Sequence, residues 1–539
     1  MSQHNLTRMM PSFLGLDSQL LHFIKASNGL NRLSACLTCS ISSLYAAKSV
    51  YSKAQIVCCR NVQFRPMRVH NKLLHEACHS SKQAQPTSFE RGMLDSIPTS
   101  EWMDEATLYV HWPYCQRRCT YCNFNKYIDK VVDHAKMQQC LVQEARTLID
   151  QSGIKRIKSV FFGGGTPSLA KPQTLQAVLD TVSGLVDVSS NAEVTMEGNP
   201  TSVGRTKLQD FKLAGINRVS LGIQALNDND LKLLGRDHTT SESLQCIEEA
   251  RRVFPGRLSL DIIFGRPGQT LSSWEQELQQ LLTICDNHLS LYQLTLERGT
   301  TLFEMHARGQ VRLPSHDDVA DMYTLAVDMM EEERLKRYEV SNFAKEGYEC
   351  IHNQSYWAGG QYIGIGPGAH GRFIPQNCES VNECKSYSRD SFKTCIKPNH
   401  EYTTSRSEIK QGSNSMRYRE ARIQTLEPRS WMYEVLKYGH GTRKRVSQSQ
   451  LDILQELLLV GMRTNLGVTC KRWAELSQGG YMSDVFCDDN VQRLVQAGLL
   501  VKDRIGLRAT ANGMALLDCI IPHLIVTLQD WYRENCDSD

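Results

Sequence analysis

From Thr107 to Glu333, short apolar runs alternate with amphipathic stretches. The apolar runs read as strands at Leu108–Val110, Ser159–Phe162, Ala192–Met196, Arg218–Gly222, Leu258–Phe264 and Leu289–Leu296. Between them, helical periodicity covers 131–151, 172–186, 203–213, 228–234 with 241–253, and 272–284. A further helix is expected over Ser315–Glu333. There Val319, Met322, Tyr323, Ala326, Met329 and Met330 share an apolar face behind a Ser315 N-cap. Alternating β and α units imply a parallel sheet and an α/β fold. Where such units close into a barrel, chemistry gathers at the C-terminal ends of the strands.

The alternation lapses between Arg372 and Arg419. Residues 377–415 are polar, rich in Ser, Lys and Asn, and lack periodicity, so 376–416 is expected to be a disordered insertion. A second domain is expected over 417–539. Its helices read as Ser449–Met462, Lys471–Leu476, Val491–Ala497 with Gly498 as C-cap, and Ala511–Cys519. Leu499–Val501 and Ile505–Leu507 suggest a small hairpin, and the order is that of a winged-helix-like α+β module. Only Lys471 and Arg472 stand on a candidate recognition helix, so no nucleic-acid partner is expected.

Composition narrows the setting. The 539 residues carry a net charge of +3, which advertises no polyanion. No run of apolar residues is long enough for a transmembrane helix. Nineteen scattered cysteines without a secretory signal argue against a disulfide framework. Between Met1 and His75 the charged residues are Arg8, Lys25, Arg32, Lys48, Lys53, Arg60, Arg65, Arg68 and Lys72, against Asp17 alone. Such a basic, serine-rich, acid-poor stretch suits a mitochondrial transit peptide. Residues 1–100 are therefore expected to be a transit and disordered segment, with the main domain over 101–375 and location in the matrix or at the inner membrane.

The chemistry is most visible after the first strand. Cys115, Cys119 and Cys122 form a C-x3-C-x2-C loop. Three thiolates in one loop can hold three irons of a cubane cluster and leave the fourth open. A zinc site wants a fourth ligand at matching spacing, and none follows in the next dozen residues.

This spacing resembles that of the radical S-adenosylmethionine (SAM) superfamily. There the open iron binds SAM, and an electron from the [4Fe–4S] cluster cleaves it to a 5′-deoxyadenosyl radical. Six β/α units match that superfamily's partial (β/α)6 barrel. The likeness covers 104–375 and resumes from 417. The second strand is followed by Gly163-Gly-Gly-Thr-Pro167, whose glycines admit close approach and offer N–H groups. The third ends in Glu197-Gly-Asn-Pro200, the fourth in Ser220-Leu-Gly-Ile-Gln224, before Leu234-Gly-Arg-Asp-His238. The fifth carries Asp261 ahead of Phe264-Gly-Arg-Pro-Gly268. The resemblance implies SAM contacts from Tyr109, Gly164, Gly165, Thr166, Glu197, Gln224, Arg236 and Asp261. Arg266 departs from the pattern, which usually has an apolar residue there; it is expected to add charge near the mouth and to leave the SAM contacts intact.

Within the superfamily the chain resembles the HemW-like heme-chaperone branch, a relative of the oxygen-independent coproporphyrinogen III oxidases. The oxidases carry a further cysteine two residues after the third, where this chain has Phe124. His352-Asn-Gln-Ser-Tyr-Trp357 matches the H-N-x-x-Y-W motif associated with heme in that branch. The resemblance thus implies heme binding by His352, Asn353, Tyr356 and Trp357, with Cys350 as a rival axial ligand. It implies a chaperone that delivers heme to mitochondrial apo-hemoproteins and draws on an electron donor. The alternative is an active radical SAM enzyme such as the oxidase, which decarboxylates coproporphyrinogen III propionates. A homodimer is left open.

Overall fold

The computed structural model describes residues 101–202, 205–376, 418–477 and 480–536. The expected transit segment and nearly all of the expected insertion lie outside the described residues. The first half of the chain repeats strand and helix: β1 Glu105–Trp112, α1 His134–Ser152, β2 Arg156–Gly164, α2 Pro172–Ser183, β3 Asp187–Gly198, α3 Arg205–Leu213 and β4 Arg218–Gln224. Two helices, α4 Asp228–Leu233 and α5 Thr240–Val253, lead to β5 Leu258–Phe264, α6 Leu271–Ile284 and β6 His288–Gln293. Strands β1 to β6 lie side by side and parallel in chain order, as the alternation requires. Local chemistry sets the helix starts. Thr239 with Glu242 and Ser315 with Asp318 close reciprocal capping boxes.

Period two along the strands divides inside from outside. Leu108, Val110 and Trp112 join the core beneath the helices, whereas Tyr109 belongs to a separate inner cluster. Val194 and Met196 likewise face the helices, so Glu193, Thr195 and Glu197 share the inner face.

The sheet then grows by elements that local pattern did not reveal. After α7 Thr301–Ala307 and α8 His316–Glu332, a hairpin of β7 Lys336–Glu339 and β8 Asn342–Ala344 pairs antiparallel with β6. Next come α9 Ile351–Trp357, β9 Tyr362–Ile365, β10 His370–Phe373, β11 Glu420–Gln424, α10 Pro428–Tyr438 and β12 Thr442–Ser447. Strand β9 pairs parallel with β1, giving a twelve-stranded sheet ordered β12-β11-β10-β9-β1-β2-β3-β4-β5-β6-β8-β7. The sheet therefore runs past residue 417, where the sequence reading begins the C-terminal domain. A buried carboxylate ties this extension to α1. Glu144 accepts hydrogen bonds from the N–H groups of Gly366 and Gly441, each at 2.7 Å, and from Trp431 Nε1.

A second hydrophobic core gathers from Ile453 onward. It is built by α11 Gln450–Gly461, β13 Val468–Thr469, α12 Cys470–Leu476, α13 Met482–Val485, α14 Asp489–Gln496, β14 Leu500–Lys502, β15 Gly506–Ala509, α15 Ala511–Met514 and α16 Leu517–Cys536. The small sheet runs β13-β15-β14. The expected last helix is thus two, the second continuing to Cys536. Glu456 of α11 joins the two cores, accepting from Arg372 Nε at 3.2 Å, Arg419 Nη2 at 2.9 Å and Gln448 Nε2 at 2.9 Å. Burial would raise its pKa, but Arg419 and Arg372 hold it down to about 2. Among the described residues, no helix is long and apolar enough to cross a membrane.

Candidate functional site

The cysteine loop leaves β1 and is tied down by backbone. Cys115 N–H donates to Tyr127 O at 3.0 Å, and Thr120 N–H donates to Leu234 O at 3.0 Å. Two sulfurs have defined partners. Thr166 Oγ1 donates to Cys115 Sγ at 3.4 Å, and Arg236 Nη1 donates to Cys119 Sγ at 3.3 Å. Burial pushes the Cys115 thiol up to about 11, and the neighbouring Cys122 and Cys119 add to the rise. Burial also raises Cys122, against the pull of Lys126. Cys115 and Cys122 thus sit where their negative charge is disfavoured by burial and by their neighbours in the loop. An added cation is what such a trio lacks, and an iron–sulfur cluster held by three thiolates fits it. Among the described residues, no three His, Cys, Asp or Glu side chains converge as they would on a single ion.

The glycine turn after β2 lies against this loop. Its N–H groups are already used: Gly164 donates to Glu197 Oε2 at 3.1 Å, Gly165 to Trp112 O at 2.6 Å and Thr166 to Tyr114 O at 2.9 Å. This corrects the expectation that the turn offers free donors to a ligand. Close approach is real, but the surface approached is the protein itself. A Cβ on Gly165 would lie 2.8 Å from the Tyr114 carbonyl oxygen, and Gly164 has φ of 112°.

Two carboxylates close the inner face. Burial and then Asp261 push Glu197 up to about 8, while the Gly164 N–H pulls it back. Asp261 is pushed up to about 6 by burial, opposed by the Ser290 and Ser220 hydroxyls and by Arg218 and Arg236. Ser220 Oγ lies 3.0 Å from both Asp261 oxygens. Opposite them, Arg236 Nη2 donates to Asn199 Oδ1 at 2.6 Å and to Gly222 O at 2.9 Å, while its buried Nε has no partner. Gln224 sits beside it: a Cβ on Gly222 would lie 2.8 Å from Gln224 Nε2 and 3.4 Å from Arg236 Nη2. Gln224 has φ of 71°, a left-handed backbone that costs about 1–3 kcal/mol in a residue other than glycine. Tyr109 O–H donates to His111 Nδ1 at 3.1 Å, and the ring stacks on Phe161. Because His111 Nε2 faces the Asn125 carbonyl at 2.9 Å, it carries the proton.

The three cysteines and the eight expected SAM residues are thus brought to one mouth at the C-terminal strand ends. Half-buried carboxylates with raised pKa values are stabilised in their ionised form by a cationic ligand, and SAM carries both a sulfonium and an ammonium. Sequence reasoning missed His111, Asn199, Ser220 and Ser290. The period-two rule already marks His111 and Ser220, since they share a face with Tyr109 and Gly222. Arg266 is another correction: it is 2% exposed and paired with Asp230 and Glu277, not a free charge at the mouth.

The four expected heme residues lie elsewhere. Helix α9 closes the N-terminal end of the barrel, with His352 Nδ1 3.0 Å from Ser159 Oγ. Ser159 is four residues down β2 from Gly163, about 13 Å of strand. His352 N–H and Cys350 Sγ both donate to Glu193 Oε1, at 3.3 and 3.2 Å. Glu193 also faces Arg218 Nε at 3.6 Å and Arg257 Nη2 at 3.5 Å. Burial lowers His352 to about 3 and pushes the Cys350 thiol up to about 12. Asn353 Nδ2 donates to Tyr338 O–H at 3.4 Å, and Trp357 packs with Tyr356 on Val460 of α11. Phe161 bridges the two ends, stacking with Tyr109 above and lying 5.2 Å from the His352 ring below.

Residues 109–281 match the Radical SAM superfamily and 448–516 match the HemN C-terminal domain. The chain is 43% identical over 464 residues to radical S-adenosyl methionine domain-containing protein 1, mitochondrial, of Bos taurus, covering 86% of this chain and 96% of that protein. It is 35% identical over 280 residues to heme chaperone HemW of Bacillus subtilis, covering 52% of this chain and 74% of that one. A solved structure of Escherichia coli coproporphyrinogen III oxidase, HemN, shares the fold with a TM-score of 0.59 at 17% identity, covering 84% of this chain and 98% of that one. Together with the barrel and its cysteine mouth, these likenesses show that the chain belongs to the radical SAM superfamily, in the HemW-like branch that includes the mitochondrial radical SAM domain-containing protein 1 relatives.

Proposed function

We propose that this chain is a mitochondrial heme chaperone. It binds a [4Fe–4S] cluster on Cys115, Cys119 and Cys122, SAM beside the cluster, and heme, which it passes to apo-hemoproteins. The observation that carries the cofactor half is the mouth itself, where half-buried thiols and carboxylates outnumber the cations that face them. When bound, the cluster with SAM supplies one-electron chemistry that amino-acid side chains lack. The chain's own residues prepare the place. Arg236 orients Cys119, and Thr166 orients Cys115. Each cysteine gives up its proton as it becomes a ligand. Once ionised, Glu197 and Asp261 accept hydrogen bonds from a cationic ligand and attract its charge.

The heme half is supported by the likeness to relatives named heme chaperones and by Phe124 in place of the oxidases' extra cysteine. His352 and Cys350 are neutral at pH 7 and buried, so heme reaches either one only when α9 leaves its seat on Ser159 and Glu193. The matrix or the inner-membrane surface is the setting, with an electron donor for the cluster.

The test is an anaerobic heme titration of cluster-reconstituted protein, followed by absorbance, beside His352→Ala and Cys350→Ala. Saturable, near-stoichiometric binding supports the chaperone, and the variant that loses it names the ligand. Binding kept in both variants moves the ligand elsewhere. Absence of saturable binding overturns the heme reading and leaves porphyrinogen decarboxylation as the activity to assay.

A further inference from the structure

Arg266 is the hub of a buried brace beneath the mouth. It follows β5, and its Nη1 donates to two strand-end carbonyls, Ile263 O at 2.6 Å and Gln224 O at 3.4 Å. Its Nε donates to Asp230 Oδ2 of α4 at 3.1 Å, and its Nη2 to Glu277 Oε2 of α6 at 2.5 Å. Glu277 completes the circuit, since its Oε1 accepts from Leu226 N–H at 2.7 Å. The backbone is therefore pinned at two points just after the left-handed residue: at the Gln224 carbonyl by Arg266, and two residues on by Glu277. Gln269 locks the base of the brace, accepting from Gly265 N–H at 2.7 Å and donating to Glu277 Oε2 at 3.2 Å.

The turn so held is unusual. Gln224 and Arg334 are the non-glycine residues with positive φ among those described. A strand bulge between Gly222 and Gln224 accompanies it. The conformation aims the Gln224 amide back over Gly222, next to Arg236. Strand alternation already gives Gln224 the face of Ser220 and Gly222, so the left-handed turn decides how far the amide folds back along that face.

We propose that Arg266 is a positioning residue for SAM, acting through Gln224; this rests on the reading of the mouth as a SAM site. A planar five-donor guanidinium can reach two carbonyls and two carboxylates at once. An ammonium cannot, so Arg266→Lys keeps the buried charge balanced while releasing the strand ends. It is the variant of choice, because Arg266→Met leaves Asp230 and Glu277 without their cation and risks unfolding.

The experiment is a double-mutant cycle on the anaerobically reconstituted full chain: wild type, Arg266→Lys, Gln224→Ala and both together, with SAM affinity by equilibrium dialysis and iron content beside it. We expect Arg266→Lys to weaken SAM about tenfold at full iron content. In the Gln224→Ala background, the same change has no further effect. Wild-type affinity in Arg266→Lys overturns the inference, as does a tenfold loss that persists undiminished without the Gln224 amide. Unchanged affinity in Gln224→Ala overturns it too, by removing Gln224 from the site, while the reading of the mouth stands. If the wild type itself binds no SAM, that reading fails and the inference with it.

Discussion

The two ends of the barrel are built from the same inner strand faces, yet they are finished differently. At the N-terminal end, Glu193 meets Arg218, Arg257, the Cys350 thiol and the His352 N–H, so its charge is answered by the protein. At the mouth, Glu197 and Asp261 are raised together, Arg236 Nε lacks a partner, and Gln224 holds a costly backbone. One end answers its buried carboxylate with the protein's own cations, although Trp357 Nε1 of α9 is buried there without a hydrogen-bond partner. The other keeps raised carboxylates and an unpartnered guanidinium nitrogen, which the proposed charged ligand would answer. Unsatisfied groups and strain mark where a protein expects a partner.

The largest test of this contrast is at the cysteine loop. Cys119→Ala should drop iron and sulfide in the reconstituted protein to background, while far-UV circular dichroism keeps the α/β signal. Full iron content in that variant would remove Cys119 from the ligand set.

A smaller effect is expected in pH. Both carboxylates have raised pKa values, so they are neutral at low pH and ionise as pH rises through about 6 for Asp261 and about 8 for Glu197. A cationic ligand prefers the ionised forms, so SAM affinity should increase from pH 6 to pH 8 in equilibrium dialysis. Glu197→Gln should flatten the upper part of that rise. A flat wild-type profile would mean that these groups do not face the ligand's charge.

The smallest effect sharpens the other side. Ser159→Ala deletes one hydrogen bond to His352, worth about 1 kcal/mol. If heme capture needs α9 to leave, that loss should tighten heme binding about fivefold and lower the melting temperature slightly. Unchanged heme affinity would place the heme elsewhere on the surface.

Much of this architecture is written locally. Apolar runs and helical periodicity place the first six strands and their helices, because burial of one face imposes its period on the chain. Ser315 and Thr239 cap helices within their own few residues. Cys115, Cys119 and Cys122 share one loop, so their kinship follows from spacing alone. The order of Glu197, Gln224, Arg236 and Asp261 along successive strand ends follows from alternation and the family resemblance. Contacts across the fold are a different matter. Strands β9 to β12 are short, and their place beside β1 depends on pairing partners far away in the chain. The glycine turn looks the same in sequence whether its N–H groups are free or used by Glu197, Trp112 and Tyr114. Arg266 reads as a surface charge until α4 and α6 bring Asp230 and Glu277 to it. His352 reads as a candidate heme ligand, and only the fold sets Ser159 of β2 against it, 193 residues away in sequence. Sequence determined which residues take each local shape; only the tertiary structure decided which polar groups are already satisfied, because satisfaction depends on what the rest of the chain carries to the same point in space.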